Sequence, residues 1–144
     1  IAADRVTEAV EKFRLYADDN AQDASAQYAA GTAMLQISRY EDAAHYLKKS
    51  LDLDADNESA LYNLCVSYLR WGINVRDEDD STDPETRQQD YKSIIRNAIP
   101  YLQSLLEKQQ HNASNWDLAG TLYATIGMTK EAGDAYDKAD TLRK

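Results

Sequence analysis

The chain has one cysteine, Cys65, among 144 residues. That excludes an internal disulfide and any zinc site built from several thiolates. Two prolines and five glycines favour helices joined by short turns. No uninterrupted apolar run approaches the ~20 residues needed to cross a bilayer. Positive charge is scarce: 16 Lys and Arg stand against 25 Asp and Glu, for a net charge of −9. Nucleic acid and anionic membrane surfaces are poor ligands for such a chain, because both need clustered cations. The acidic surface serves solubility and suits basic or neutral partners. Phenylalanine occurs once and tyrosine ten times. At helical spacing these tyrosines read as core whose hydroxyls need partners, with some reaching a groove or an open end.

What the sequence does contain is a small residue paired with a large one at a fixed period. Ala9, Ala43, Ala98 and Ala132 fall at intervals of 34, 55 and 34, and Phe13, Leu47, Leu102 and Tyr136 keep step four places later. Gly31, Cys65 and Gly120 repeat the 34 and 55 spacing. Such a period marks a helical repeat array, in which each unit buries its apolar face only against its neighbours. The odd interval is one period plus 21 residues, a single insertion. Cys65 fills a small-residue slot, which reads as a packed thiol rather than a reactive one.

Helical phase places the elements. Val6, Ala9, Val10, Phe13 and Tyr16 make an amphipathic helix over 3–16, ended by Asp18-Asp19-Asn20. In register it is the second helix of a unit whose first helix is missing. The sequence begins at Ile1 inside a repeat, which reads as a fragment or processed product and leaves the compartment open. The first full unit spans 24–57, with Ala30, Gly31, Met34 and Leu35 on helix A, a turn at Ser38-Arg39, and Tyr40, Ala43, Ala44, Leu47 and Leu51 on helix B. The next unit, 58–112, carries the buried stripe Leu61, Leu64, Cys65, Tyr68, Leu69, Gly72 and Ile73. A charged loop over 76–85 then leads to a helix start, capped either by Asp83 ahead of Pro84 or by a Thr82–Glu85 capping box. The following helix carries Tyr91, Ile94, Ile95, Ala98, Tyr101, Leu102, Leu105 and Leu106, with a kink at Pro100. The insertion lengthens both helices of this hairpin by about two turns, and Ile73 is expected to face Tyr91 and Ile94 or Ile95. The last unit, 113–144, has Trp116, Ala119, Gly120 and Tyr123 on helix A, a turn at Gly127-Met128-Thr129 with Thr129 as N-cap, and Ala132, Tyr136, Ala139 and Leu142 on helix B.

These residues resemble the tetratricopeptide repeat (TPR) family. Trp116, Ala119, Gly120, Tyr123, Gly127, Ala132, Tyr136 and Ala139 fit its W-x2-L-G-x2-Y…G…A-x3-F-x2-A pattern. The unit at 24–57 fits through Gly31, Tyr40, Ala43, Leu47 and Leu53, and departs at Gln27 (usually aromatic), Ser38 (usually Gly), Ser50 (usually Ala) and Ala55 (usually Pro). The interrupted unit fits through Leu61, Leu64, Tyr68, Gly72, Ala98 and Leu102, with Cys65 in place of Gly. The run 98–102 also resembles a variant found after long insertions within such repeats. The resemblance implies an all-α fold: one domain over 1–144, with antiparallel helix pairs stacked into a right-handed solenoid and the middle hairpin elongated.

It further implies a concave face lined by the A helices, which holds a peptide or protein segment. The inward positions carry over onto Tyr28, Thr32, Gln36, Tyr62, Asn63, Val66, Arg70, Asp117, Thr121 and Thr125. Arg70 is suited to a carboxylate and Asn63 to an extended peptide backbone. Some members clamp the C-terminal carboxylate of heat-shock chaperones, but of the matching positions Tyr28, Thr32, Asn63, Ser114 and Leu118 only Asn63 agrees. The implied role is a non-catalytic interaction module with no cofactor and no metal. The alternative is an assembly module that docks a neighbouring domain, or forms a homodimer, through its terminal helices. Ala132 and Tyr136 on the last helix are the expected open face.

Other candidate chemistry is weak. Asp77, Asp79, Ser81 and Asp83 alternate as in a calcium loop, but Thr82 stands where a Gly is needed and Gln88 where a Glu is needed. His45 and His111 are isolated. Asn57-Glu-Ser59 and Asn112-Ala-Ser114 fit the glycosylation sequon, yet both fall where Asn serves as a helix cap. No nucleophile elbow, P-loop or converging carboxylate pair is present. Titration with calcium is expected to leave the thermal midpoint unchanged; a large rise would restore the loop as a cation site.

Overall fold

Apolar residues recurring every three or four positions with few breakers produce helices throughout the computed structural model, which describes residues 2–78 and 84–144. Among the described residues there are eight helices and no strand: α1 (Ala2–Asp19), α2 (Ala24–Gln36), α3 (Tyr40–Leu53), α4 (Glu58–Glu78), α5 (Pro84–Arg96), α6 (Ile99–Lys108), α7 (Ala113–Thr125) and α8 (Thr129–Arg143). They group into two compact units, Ile1–Ser67 and Tyr68–Lys144. Among the described residues the fold is all-α.

In the first unit α2 packs against both α1 and α3. The α2–α3 pair is antiparallel: Ser50 Oγ near the end of α3 donates to the Ala24 carbonyl at the start of α2, 2.9 Å away. Midway, Gly31 meets Leu47 so closely that an added Cβ would sit 2.6 Å from Leu47 Cγ. Leu47 is fully buried there. In the second unit α7 and α8 repeat the arrangement, with Gly120 against the Tyr136 ring at 2.6 Å. A further small–large pair sits in the elongated hairpin, where Gly72 on α4 abuts Ile95 of α5 at 2.4 Å and the Tyr91 carbonyl at 3.0 Å. Arg76, one turn on, lies over the Tyr91 ring, 5.6 Å from its centroid. Gly72 and Arg76 thus face Ile95 and Tyr91 in the extension, and Ile73 between them is half-buried.

Turn chemistry explains where the helices stop. α2 and α7 both end in a Schellman turn. Arg39 N–H donates to the Met34 carbonyl and Met128 N–H to the Tyr123 carbonyl, each at 2.9 Å. That turn needs one left-handed residue. Gly127 supplies it at φ 84° and Ser38 at φ 63°. The starts are set by three caps at the repeat spacing. The side chains of Asp23, Asn57 and Asn112 accept from the N–H groups of Ala26, Ala60 and Asn115. The two sequon asparagines are therefore helix caps.

Three expectations are corrected. α1 reaches Asp19 rather than stopping at Tyr16. The helix carrying Pro100 is not kinked but divided. Its ladder closes at Asn97 and Ala98 with tight bonds back to Ile94 and Ile95, and Pro100 sits in the first turn of α6, where a missing N–H costs least. Thr129 is the first residue of α8, and Met128 occupies the cap position without a side-chain bond. Of the face expected to be open on the last helix, Ala132 is buried and Tyr136 is 38 % exposed, and Val6, Phe13 and Tyr16 on α1 are exposed as well. The caps proposed at Thr82 and Asp83, and Asp79 and Ser81 of the acidic loop, lie outside the described residues.

A left-handed non-glycine residue costs about 1 kcal/mol, offset in part by the greater chain entropy of glycine. Ser38→Gly is therefore expected to raise stability by up to ~1 kcal/mol, and Gly127→Ala to lower it by about as much. Urea unfolding followed by far-UV circular dichroism measures both; equal and unchanged midpoints would contradict the strain assigned to residue 38.

Candidate protein-binding surface

The groove positions lie on the helices that open each repeat. In the first unit, Tyr28 and Thr32 project from α2 half-buried and Gln36 is exposed. Tyr62, Asn63 and Val66 follow on α4, with Tyr62 36 % exposed and the other two half-buried. The structure brings two of these together: Asn63 Nδ2 donates to Thr32 Oγ1 at 3.5 Å. This long bond links α2 to α4 and leaves Asn63 Oδ1 without a partner among the described residues. Such an amide can pair with both edges of a peptide group.

In the second unit Arg70 is exposed and makes no ion pair among the described residues, so its guanidinium is available. Asp117 is not. Arg143 at the end of α8 grips both of its carboxylate oxygens, and this pairing holds the Asp117 carboxyl below the usual carboxylate range. Thr121 donates to the Asp117 carbonyl at 3.1 Å and accepts from the Tyr136 hydroxyl at 3.1 Å. Thr125 bonds back to the Thr121 carbonyl at 2.7 Å. Asp117 and Thr121 thus already serve the α7–α8 hairpin, and the Thr125 hydroxyl is satisfied within α7.

The departures from the family pattern have local reasons. Gln27 stands where Trp116 stands in the last unit, and both send an N–H back to the preceding turn. Gln27 Nε2 reaches the carbonyls of Ala17 at 2.8 Å and Asn20 at 3.1 Å, and Trp116 Nε1 that of Gln110 at 2.9 Å. Gln27 is fully buried and its Oε1 has no partner. Ser50, in an alanine slot, satisfies its hydroxyl on Ala24. Tyr46 donates to Asp18 at 2.7 Å, tying α3 to α1. Burial, and then that carboxylate, push its phenol up to about 12. Sequence reasoning missed these polar anchors, although an Asp-rich helix end paired with a tyrosine 28 residues on is visible once the register is known.

His45 rests edge-on against Tyr46, 5.2 Å between centroids, and His111 is exposed. Among the described residues no three His, Cys, Asp or Glu side chains gather as a metal site, and Asp77 pairs with Arg76 at 3.1 Å. No helix among them is long and apolar enough to cross a membrane.

No family model matches the chain. Superkiller complex protein 3 of Mus musculus is 26 % identical over 151 residues, an alignment covering 99 % of this chain and 9 % of that protein. The chain therefore spans about a tenth of that relative's length. The crystal structure of MamA superposes with a TM-score of 0.69 at 18 % identity, covering 96 % of this chain and 68 % of that one. MamA contains tetratricopeptide repeats and the mouse protein is rich in them. The chain is a TPR-like helical repeat protein, and folds of this class serve in general as protein–protein interaction modules.

Cys65 is buried and forms no disulfide. Burial pushes its thiol up to about 12, above the ordinary ~8.5. The fold thus favours the neutral thiol. This contribution to stability is complete below pH ~8.5 and is lost as the pH rises toward the folded value. A thiol reagent at pH 8 is expected to modify Cys65 only at the rate of global unfolding; rapid labelling of the folded chain would contradict a packed thiol.

Proposed function

We propose that this chain is a non-catalytic interaction module that holds an extended peptide or protein segment on the faces of its A helices, through Tyr28, Thr32, Gln36, Tyr62, Asn63 and Val66 in the first unit and Arg70 in the second. Asp117, Thr121 and Thr125 belong to the same register but act chiefly within their own hairpin. The observation that carries this reading is Asn63, half-buried beside exposed Tyr62, with its amide satisfied on one side only. A backbone amide of a bound strand completes that set, Tyr62 offers an aromatic platform, and Arg70 takes a carboxylate by paired hydrogen bonds. The net charge of −9 supports basic or neutral partners and speaks against nucleic acid. The chaperone-tail clamp is not proposed, since the matching positions lack its cations.

A displayed random-peptide library supplies the test. The chain is expected to enrich a peptide class whose binding falls at least tenfold when Tyr62→Ala and Arg70→Ala are combined, a loss of ~1.4 kcal/mol or more. The helical spectrum and thermal midpoint should be retained. Equal binding by the double variant, or no enrichment at all, would remove the reading.

A further inference from the structure

One aromatic ring distinguishes the two units. In the first, Tyr46 closes α3 onto α1. Its hydroxyl donates to Asp18 Oδ1 at 2.7 Å, and Lys49 Nζ stands 5.9 Å from its ring centroid. The repeat register places the counterpart of each of these residues 89 positions later, in the second unit. Asp18 is matched there by Glu107 and Lys49 by Lys138, but Tyr46 is matched by Ala135. The acceptor and the cation are kept, and the ring between them is missing.

An open pocket of about 360 Å³ lies at this place. It is lined by Leu106, Glu107 and Gln110 at the end of α6, Trp116 of α7 and Lys138 of α8. Leu106 and Trp116 are bulkier than their counterparts Ala17 and Gln27, yet the pocket stays open. Leu106 is buried and the Trp116 indole is half-buried, its N–H fixed on the Gln110 carbonyl at 2.9 Å. These two give the pocket a rigid apolar lining. Glu107 and Lys138 at its rim are exposed, and neither makes an ion pair among the described residues. The walls are three helices of one unit, so no further element has to be absent for the pocket to exist.

We propose that this pocket takes a tyrosine side chain of a partner protein, in the role that Tyr46 fills within the first unit. The ring lies against Leu106 and Trp116, its hydroxyl donates to the Glu107 carboxylate, and its face is turned to the Lys138 ammonium. Complementarity selects this occupant. A phenylalanine leaves the carboxylate without its donor, and an acidic side chain meets Glu107 as a like charge. One side chain in an open pocket buries little area, so an isolated peptide binds weakly and a whole partner adds contacts around it. The pocket shares no residue with the A-helix positions proposed to hold an extended segment, and the two readings are tested apart.

The probe is a blocked glycine–tyrosine–glycine tripeptide, titrated to about 10 mM against the whole chain and followed by nitrogen–proton NMR. It is expected to shift the Trp116 indole N–H and the Lys138 amide saturably. The phenylalanine counterpart is expected to bind at least about threefold more weakly. Glu107→Ala is expected to abolish that preference while leaving the helical spectrum intact, since the side chain is exposed. Three results would overturn the proposal: a tyrosine peptide that leaves Trp116 unmoved, equal binding of the two peptides by the unaltered chain, or a preference that survives Glu107→Ala.

Discussion

The close approach of a glycine on one helix to a bulky side chain on its partner is the contact from which the rest of this architecture follows. Gly31 against Leu47, Gly120 against Tyr136 and Gly72 against Ile95 each leave no room for a Cβ. Two helices can then come near enough to exclude water along their whole seam, and burial of one large side chain contributes ~1.5–3 kcal/mol. The remaining contacts of each pair, including the buried alanines Ala30, Ala43, Ala44, Ala119 and Ala132, are possible because that distance has been set. The same interlock at Gly72 shows how an insertion is absorbed. α4 is 21 residues long against 13 for α2 and α7, and its extra turns carry their own small residue for α5 to close upon.

Polar side chains fix the ends of these seams. Gln27 with two hydrogen bonds, and Ser50 and Tyr46 with one each, reach a neighbouring helix or turn from within or beside the core, and Asp117 with Arg143 closes α7 onto α8. Exposed pairs of this kind contribute little energy, about 0–1 kcal/mol. Their effect is to hold register. That accounts for the contrast between the two groove faces. Asp117 and Thr121 on α7 are engaged by Arg143 and Tyr136 of α8, whereas Arg70 on α4 makes no ion pair among the described residues and Asn63 bonds only Thr32.

Most of the fold was legible in the sequence. The 34-residue period, the small–large pairs and the A-helix stripes name most of the buried apolar residues, because helical phase is a local property of residue order, but miss Tyr46, Leu118, Leu122 and Ile126 among others. Pro100 was read as a kink, whereas the chain breaks and restarts, since the freed carbonyl can be left in a two-residue turn at a repeat boundary. The candidate site was legible only as a set of positions. Periodicity says that Thr32, Asn63, Asp117 and Thr121 face one way, and says nothing of which hydrogen bonds they have already made.

Residue order alone thus determined the repeat, its interruption, the caps at Asp23, Asn57 and Asn112, and the left-handed turns at Ser38 and Gly127, because each depends on the conformational preferences of a few neighbouring residues. Tertiary packing decided which polar edges are already engaged. Asp117 and Asn63 look alike as positions on one face, yet Asp117 is held by Arg143 while Asn63 reaches only Thr32, and pairings between helices are not encoded in any local pattern.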